Sequence, residues 1–308
     1  MLAFLARRLG GAVLVLAVVS LVSFALLDWV PGDAAQSLIG EYASAEALEQ
    51  LRQEMGLDAP LPVRYGRYVW GALRGDLGRS LISGRPVAEL VATRLGHTAL
   101  LAVTALAVAL VLGGALGMLA AARSGGLLDL ALMAVSCLGV ALPTYWLGLM
   151  LILLFALRLG WLPVAGAGTP AHLVLPALSL ALPTAAMVAR LVRASVLDVR
   201  DAEYVRTAWA KGLPAWRVWQ RHILRNSVIP VVTMVALHLG HLLGGAVVVE
   251  SIFGWPGVGR LVVQAVLDQD YPVVLGGVLL MAAMYQALNL LVDLAHGWLD
   301  PRVGTGAL

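Results

Sequence analysis

The sequence predicts an all-α integral membrane protein with six transmembrane helices, and three observations carry that prediction. The 308 residues are 60% hydrophobic and only 13% charged, about half the charged fraction of an ordinary soluble domain. Mean hydropathy is +0.88, so the bilayer must serve as solvent for much of the chain. Finally, charge-free runs long enough to cross about 30 Å of hydrocarbon as helix recur along the sequence.

Read from charge to charge, the runs are Leu9–Leu27, Thr98–Ala122, Leu130–Leu157, Leu159–Ala189, Asn226–Val249 and Tyr271–Val292. The first exceeds the apolar core of a secretory signal, and no small-x-small cleavage site follows, so it reads as a retained helix. The third reads as one uninterrupted span. The fourth begins with a Gly/Pro-rich loop, Trp161–Pro170, which leaves about Leu173–Ala189 as the span, helical despite Pro176 and Pro183. Proline is tolerated in a spanning helix where neighbours satisfy the freed carbonyls.

Arginine and lysine set the orientation. With the N-terminus inside, the inner segments carry twelve basic and six acidic residues, and the outer segments nine basic and twelve acidic. That asymmetry favours N-in and C-in. The chain then divides into an N-terminal stub and first helix (1–29), an extracytoplasmic region (30–96), a five-helix core (97–296) and a cytoplasmic tail (297–308). The outer region contains a short amphipathic helix, capped by Ser44 and stopped at Gly56.

Several function classes are excluded early. Cys137 is the only cysteine, so neither an intrachain disulfide nor a cysteine-based zinc site can form. Lys211 is the only lysine, and Gly212 follows it; a phosphate-binding P-loop needs lysine followed by a hydroxyl. No metal site, catalytic pair or nucleic-acid motif is identifiable. The span centres carry no acid, which argues against an ion-coupled secondary transporter.

The inner loop, about 198–230, holds the chemistry. Asp201, Glu203 and Tyr204 open a short helix, with Asp201 as its cap, and Arg206, Thr207, Ala208 and Lys211 follow. Acids early and a cation late suit the helix dipole. Gly212 can end the helix in the left-handed conformation, and Pro214 suits the start of a second one. That second helix carries Trp216, Trp219 and Ile223 on one side, and Arg217, Arg221 and Arg225 on another. Aromatic and arginine side chains on an elbow suit protein docking; a headgroup-depth lipid helix is the competing reading.

These residues resemble a known family. Asp201–Gly212 with Leu213, followed by His222-x-Leu224-Arg225-Asn226-Ser227-Val228-Ile229-Pro230, is similar to the EAA loop of bacterial ABC importer permeases of the dipeptide/oligopeptide/nickel branch. The superfamily pattern Glu-Ala-Ala-x3-Gly reads Arg206-Thr207-Ala208-x3-Gly212 here, a departure common in that branch. The resemblance extends along the chain through Pro31-Gly32-Asp33, Gly56-Leu57-Asp58, Gly75-Asp76-Leu77-Gly78-Arg79-Ser80, Leu159-Gly160-Trp161-Leu162-Pro163, Gly244–Glu250, Ile252–Arg260, Asp270-Tyr271-Pro272-Val273 and Asn289–Asp293.

The resemblance implies a type I ABC importer permease fold in a bacterial inner membrane and a non-catalytic subunit that binds no cofactor. Its implied partners are a second homologous permease, two cytoplasmic ATPases holding ATP and Mg, an external solute-binding protein and the lipid bilayer. Thr207, Ala208 and Lys211 are expected to face the ATPase groove, Arg206 and Arg217 to make charge contacts, and Gly212 to act as hinge. Short peptides are the expected cargo; nickel, glutathione and opines are the alternatives. Candidate pathway or gate residues are His238 and His241 on one face of the fifth span, Glu250 at its outer end, Trp255, Pro256 and Gly257 in the turn beyond, and Asp293 near the end of the sixth span.

Overall fold

The computed structural model describes residues 2–29, 46, 49, 52 and 58–299, with the backbone alone for 2–5, 27–29, 236–239, 241, 243 and 292–299. Apart from residues 46, 49 and 52, the expected Ser44–Gly56 helix lies outside the described residues, as do Pro31-Gly32-Asp33 and the tail beyond 299. Among the described residues every regular element is helical: α1 Leu2–Trp29, α2 Leu61–Leu73, α3 Val87–Ala122, α4 Leu127–Ala141, α5 Thr144–Leu151, α6 Ala171–Arg200, α7 Glu203–Ala210, α8 Ala215–Arg217, α9 Arg225–Ile252, α10 Val258–Leu267 and α11 Tyr271–Leu299. Two π-helical segments, Ile152–Arg158 and Val218–Leu224, extend α5 and α8.

Among the described residues four helices are long and apolar enough to cross a membrane, at Ala6–Leu26, Val87–Ala122, Ala171–Arg200 and Tyr271–Leu291; the bent pair of α4 with α5 and its π extension makes a fifth when counted as one span. The helices overrun the charge-free stretches. At about 1.5 Å per residue α3 is about 54 Å long, so its first turns, with Glu89 and Arg94, extend beyond the hydrocarbon layer.

The third span departs from expectation. Leu130–Leu157 is two helices bent by 105° rather than one rod. The break falls at Leu142 (φ −80°, ψ 129°) and Pro143 (φ −63°, ψ 138°), both extended. Proline drives the residue before it out of the helical region, and neither apolar residue carries a polar signal that would mark the interruption. Pro176 and Pro183, by contrast, lie inside the continuous α6 as expected.

The chain forms two compact units, Met1–Thr98 with Pro256–Leu308, and Ala99–Trp255. In the first, α1 packs on α11 and α10 on α11. Its core joins Leu77, Val87, Val91, Val258, Leu261, Ala265, Val273 and Val274. The Ser80 hydroxyl donates to Asp270 at 2.6 Å and the Leu81 amide at 3.0 Å, and Thr98 accepts the Val258 amide at the start of α10. On α2, burial pushes the Tyr68 phenol up to about 12, with Tyr65 adding to the shift.

In the second unit α6 is central, packed against α4, α5 and α9. Its buried alanines, Ala177, Ala181, Ala185, Ala186 and Ala189, form a shallow surface against which other helices lie close. A Cβ built at Gly113 of α3 would meet the Ala185 carbonyl at 2.5 Å, and one at Gly117 the Ala189 carbonyl at 2.5 Å. A Cβ at Gly139 of α4 would lie 2.9 Å from that of Ala186. Lipid supplies little hydrophobic drive between helices, so close van der Waals approach at small residues holds such bundles together.

Candidate functional site

The elbow expected from sequence is present. Helix α7 spans Glu203–Ala210, and Gly212 has φ +71°. The Gly212 amide donates to the Trp209 carbonyl (2.9 Å) and the Leu213 amide to Ala208 (3.4 Å). This pair of bonds is a Schellman cap, which requires a left-handed residue and fixes the exit direction of the chain. Pro214 then caps α8 in an extended conformation.

Beyond Pro214 the path is continuous. Arg217, Val218, Leu224 and Arg225 are all right-handed helical, so α8, its π segment and α9 form one rod from Ala215 to Ile252. The elbow's second arm is therefore the N-terminal extension of the same helix that carries the fifth apolar run.

Burial sorts the loop into two faces. Val205, Ala208, Val218 and Ile223 join Val196 of α6 and Ala121 of α3 in a small core, with Leu213 and Trp219 packed on it. Two expectations are corrected here. Ala208, 4% exposed, faces this core and not a partner groove, because it lies one turn from Val205. Trp216 is 60% exposed and does not share the side of Ile223, because Val218–Leu224 is π-helical and its wider turn breaks the seven-residue spacing that would put both on one face of an α-helix. A third correction concerns the cap: Ala202, not Asp201, is the N-cap of α7, and no side chain caps it. Asp201 instead ends α6 and lies 3.6 Å from Arg200.

The outward face carries Glu203, Tyr204, Arg206, Thr207, Trp209, Lys211, Gly212, Trp216 and Arg217. The Arg217 guanidinium stacks 5.3 Å over the Trp216 ring. The Tyr204 hydroxyl accepts from Asn226 (3.2 Å), tying the first arm to the second. Arg225 and Pro230 are exposed along the lower part of the rod. Cations outnumber acids on this face, and aromatic rings stand among them, a composition suited to an acidic docking groove.

Residues that sequence reasoning missed anchor the elbow. Asp129 at the start of α4 is 4% exposed and binds Arg193 of α6 in bidentate fashion, at 2.5 and 2.7 Å. It also accepts the Gly125 amide at 2.9 Å, which holds the α3–α4 turn. Arg200 donates to the Ala121 carbonyl and to Ser124, and Ser195 to the Ser227 carbonyl at 2.8 Å. The partners lie far apart in sequence, and no spacing links them. Removing one partner leaves the other's charge without its counter-ion, whereas removing both leaves no charge unpaired. Asp129→Ala is thus expected to lower the thermal midpoint of the purified complex, while Asp129→Ala with Arg193→Met recovers most of the loss.

Glu250 is fully buried, and Trp255 is 3% exposed in the second unit's core. Pro256 is partly buried and Gly257 buried in the first unit. The side chains of His238, His241 and Asp293 lie outside the described residues. Among the described residues no group of three His, Cys, Asp or Glu is placed to hold a metal ion.

Comparison with known proteins follows the same lines. Residues 113–305 match the family described as binding-protein-dependent transport system inner membrane component. Residues 1–102 match the N-terminal domain of such membrane components. The chain is 41% identical over 303 residues to the glutathione transport system permease protein GsiC of Escherichia coli, covering 98% of this chain and 99% of that protein. The protein of the same name from Pectobacterium atrosepticum matches to the same extent. Among solved structures, the crystal structure of an amino acid ABC transporter with histidines has a TM-score of 0.53 at 18% identity, covering 70% of this chain and 94% of that one. At that identity the likeness concerns the fold alone.

Proposed function

The chain belongs to the binding-protein-dependent transport system inner membrane component family, and from that premise we propose that it forms half of the pathway of an ATP-driven importer of short peptides, glutathione foremost. It is a membrane permease subunit of an ABC importer, and such subunits are non-catalytic. The peptide reading rests on the 41% identity to proteins named as glutathione permeases.

In this reading the chain crosses the inner membrane six times with both termini inside. The crossing added to the five spans of the fold is α9, the fifth in chain order, 28 residues long and free of charge from Asn226 to Val249. A second permease completes the pathway, two ATPase subunits bind ATP and Mg, and an external binding protein delivers cargo. The observation that carries the proposal is the elbow: a buried inner face, a basic and aromatic outer face, and a second arm continuous with α9. A helix moves as a rigid element, so a force on α8 reaches the bilayer along the same helix. Such coupling needs two global states that differ in their contacts.

The test is ATP hydrolysis by the reconstituted complex of both permeases, both ATPases and binding protein. Glutathione and short peptides are expected to stimulate hydrolysis severalfold and to be imported. Stimulation by nickel alone overturns the cargo. Uptake that follows an ion gradient and needs no ATPase overturns the transport class.

A further inference from the structure

Arg190 sits where sequence alone assigns it to the inner surface, yet its head group turns the other way. In a helix, side chains lean toward the N-terminus, and for Arg190 of α6 that direction leads back along the span, away from Arg200. Its Nη1 lies 4.0 Å from Cys137 Sγ. Cys137 is on α4, about 12 Å further along that helix than Asp129 at about 1.5 Å per residue. Asp129 and Arg193 mark the level of the α3–α4 turn, so the Arg190 guanidinium lies well inside the bundle's apolar depth.

Two nearby arginines behave differently. Arg193 is neutralised by Asp129, whereas Arg190 is exposed and, among the described residues, its hydrogen-bonding contact is the thiol. A thiol is a weak acceptor. Cys137 is exposed as well. Four residues beyond it α4 ends, and the span turns through 105°. Broken helices at membrane depth occur where backbone lines a cavity or is covered by protein. A cation there, with no carboxylate paired to it among the described residues, marks a solute route more readily than a lipid face.

We propose that Arg190, beside Cys137 at the bend of the third span, binds the carboxylate of the solute as it passes. The planar guanidinium matches a carboxylate in two-point fashion, and every short peptide with a free C-terminus carries one. The inference rests on the peptide reading above and deepens it.

The test uses the full reconstituted complex with cysteine-free partner subunits. In Arg190→Gln the KM for import of a free peptide rises about tenfold, while that for the same peptide amidated at its C-terminus and on any side-chain carboxylate stays within about twofold; Arg190→Lys recovers part of the loss. In the wild type, an anionic methanethiosulfonate labels Cys137 faster than a cationic one, and peptide cargo slows that labelling. Equal loss for both cargoes overturns the inference, as does a Cys137 that reacts with neither reagent, which would place it against lipid or the second permease. Should Arg190→Gln fail to assemble, the wild-type labelling decides alone. A wild-type complex that hydrolyses ATP but imports neither peptide defeats the import reading, and the inference with it.

Discussion

Gly212→Pro is expected to abolish most of the ATP hydrolysis that loaded binding protein stimulates, by about tenfold or more, while the complex still assembles. Gly212 has φ +71°, and its amide holds the Trp209 carbonyl. Proline fixes φ near −65° and has no N–H to donate, so the cap is lost and α7 leaves its position over Val196 and Val218. A shift of about 1.4 kcal/mol in the coupled equilibrium suffices for a tenfold change. Gly212→Ala keeps the amide and meets only the left-handed penalty of about 1–2 kcal/mol, so an intermediate loss is expected. Because a Cβ at Gly212 meets nothing within 4 Å, conformation alone separates these variants.

The second large effect lies inside the bundle. Gly117→Leu is expected to destabilise the second unit by about 3 kcal/mol or more, the upper range for overpacking. The first added carbon already falls 2.5 Å from the Ala189 carbonyl and 2.8 Å from Val192 Cβ. Backbone cannot yield as a flexible side-chain end does, so α3 must separate from α6. The small elbow core, which includes Ala121 and Val196, then loses its floor. Gly114→Leu is the control, since its Cβ would meet nothing within 4 Å. The thermal midpoint and membrane accumulation should fall for Gly117→Leu and stay near wild type for Gly114→Leu.

How far the sequence foretold this structure varies with the physics of each feature. Gly212 and Pro214 were legible because left-handed backbone and a missing N–H are properties of single residues. Apolar runs were legible because the bilayer imposes a length. The bend at Leu142–Pro143 was not, since Pro143 breaks its span while Pro176 and Pro183 lie inside a continuous helix, and proline alone does not separate the two outcomes. Ala208 was misassigned because a short amphipathic helix shows two faces, and only the packing of Val196 and Ala121 identifies the inner one. The Asp129–Arg193 pair and the Ser80–Asp270 bond join positions 64 and 190 residues apart, beyond any local period. Ser80 and Asp270 each fell within a short stretch that stood out in the sequence, yet only the fold brings the two stretches together.

The central claim is that the outward face of the elbow docks an ATPase. Photo-crosslinking from single positions in the assembled complex tests it most directly. A crosslinking side chain at Arg206, Thr207, Lys211 or Trp216 is expected to capture the ATPase subunit, whereas one at Ala208 or Val218 should yield only crosslinks within this chain. Capture of lipid alone from the outward positions, or equal capture of the ATPase from both sets, would contradict the account.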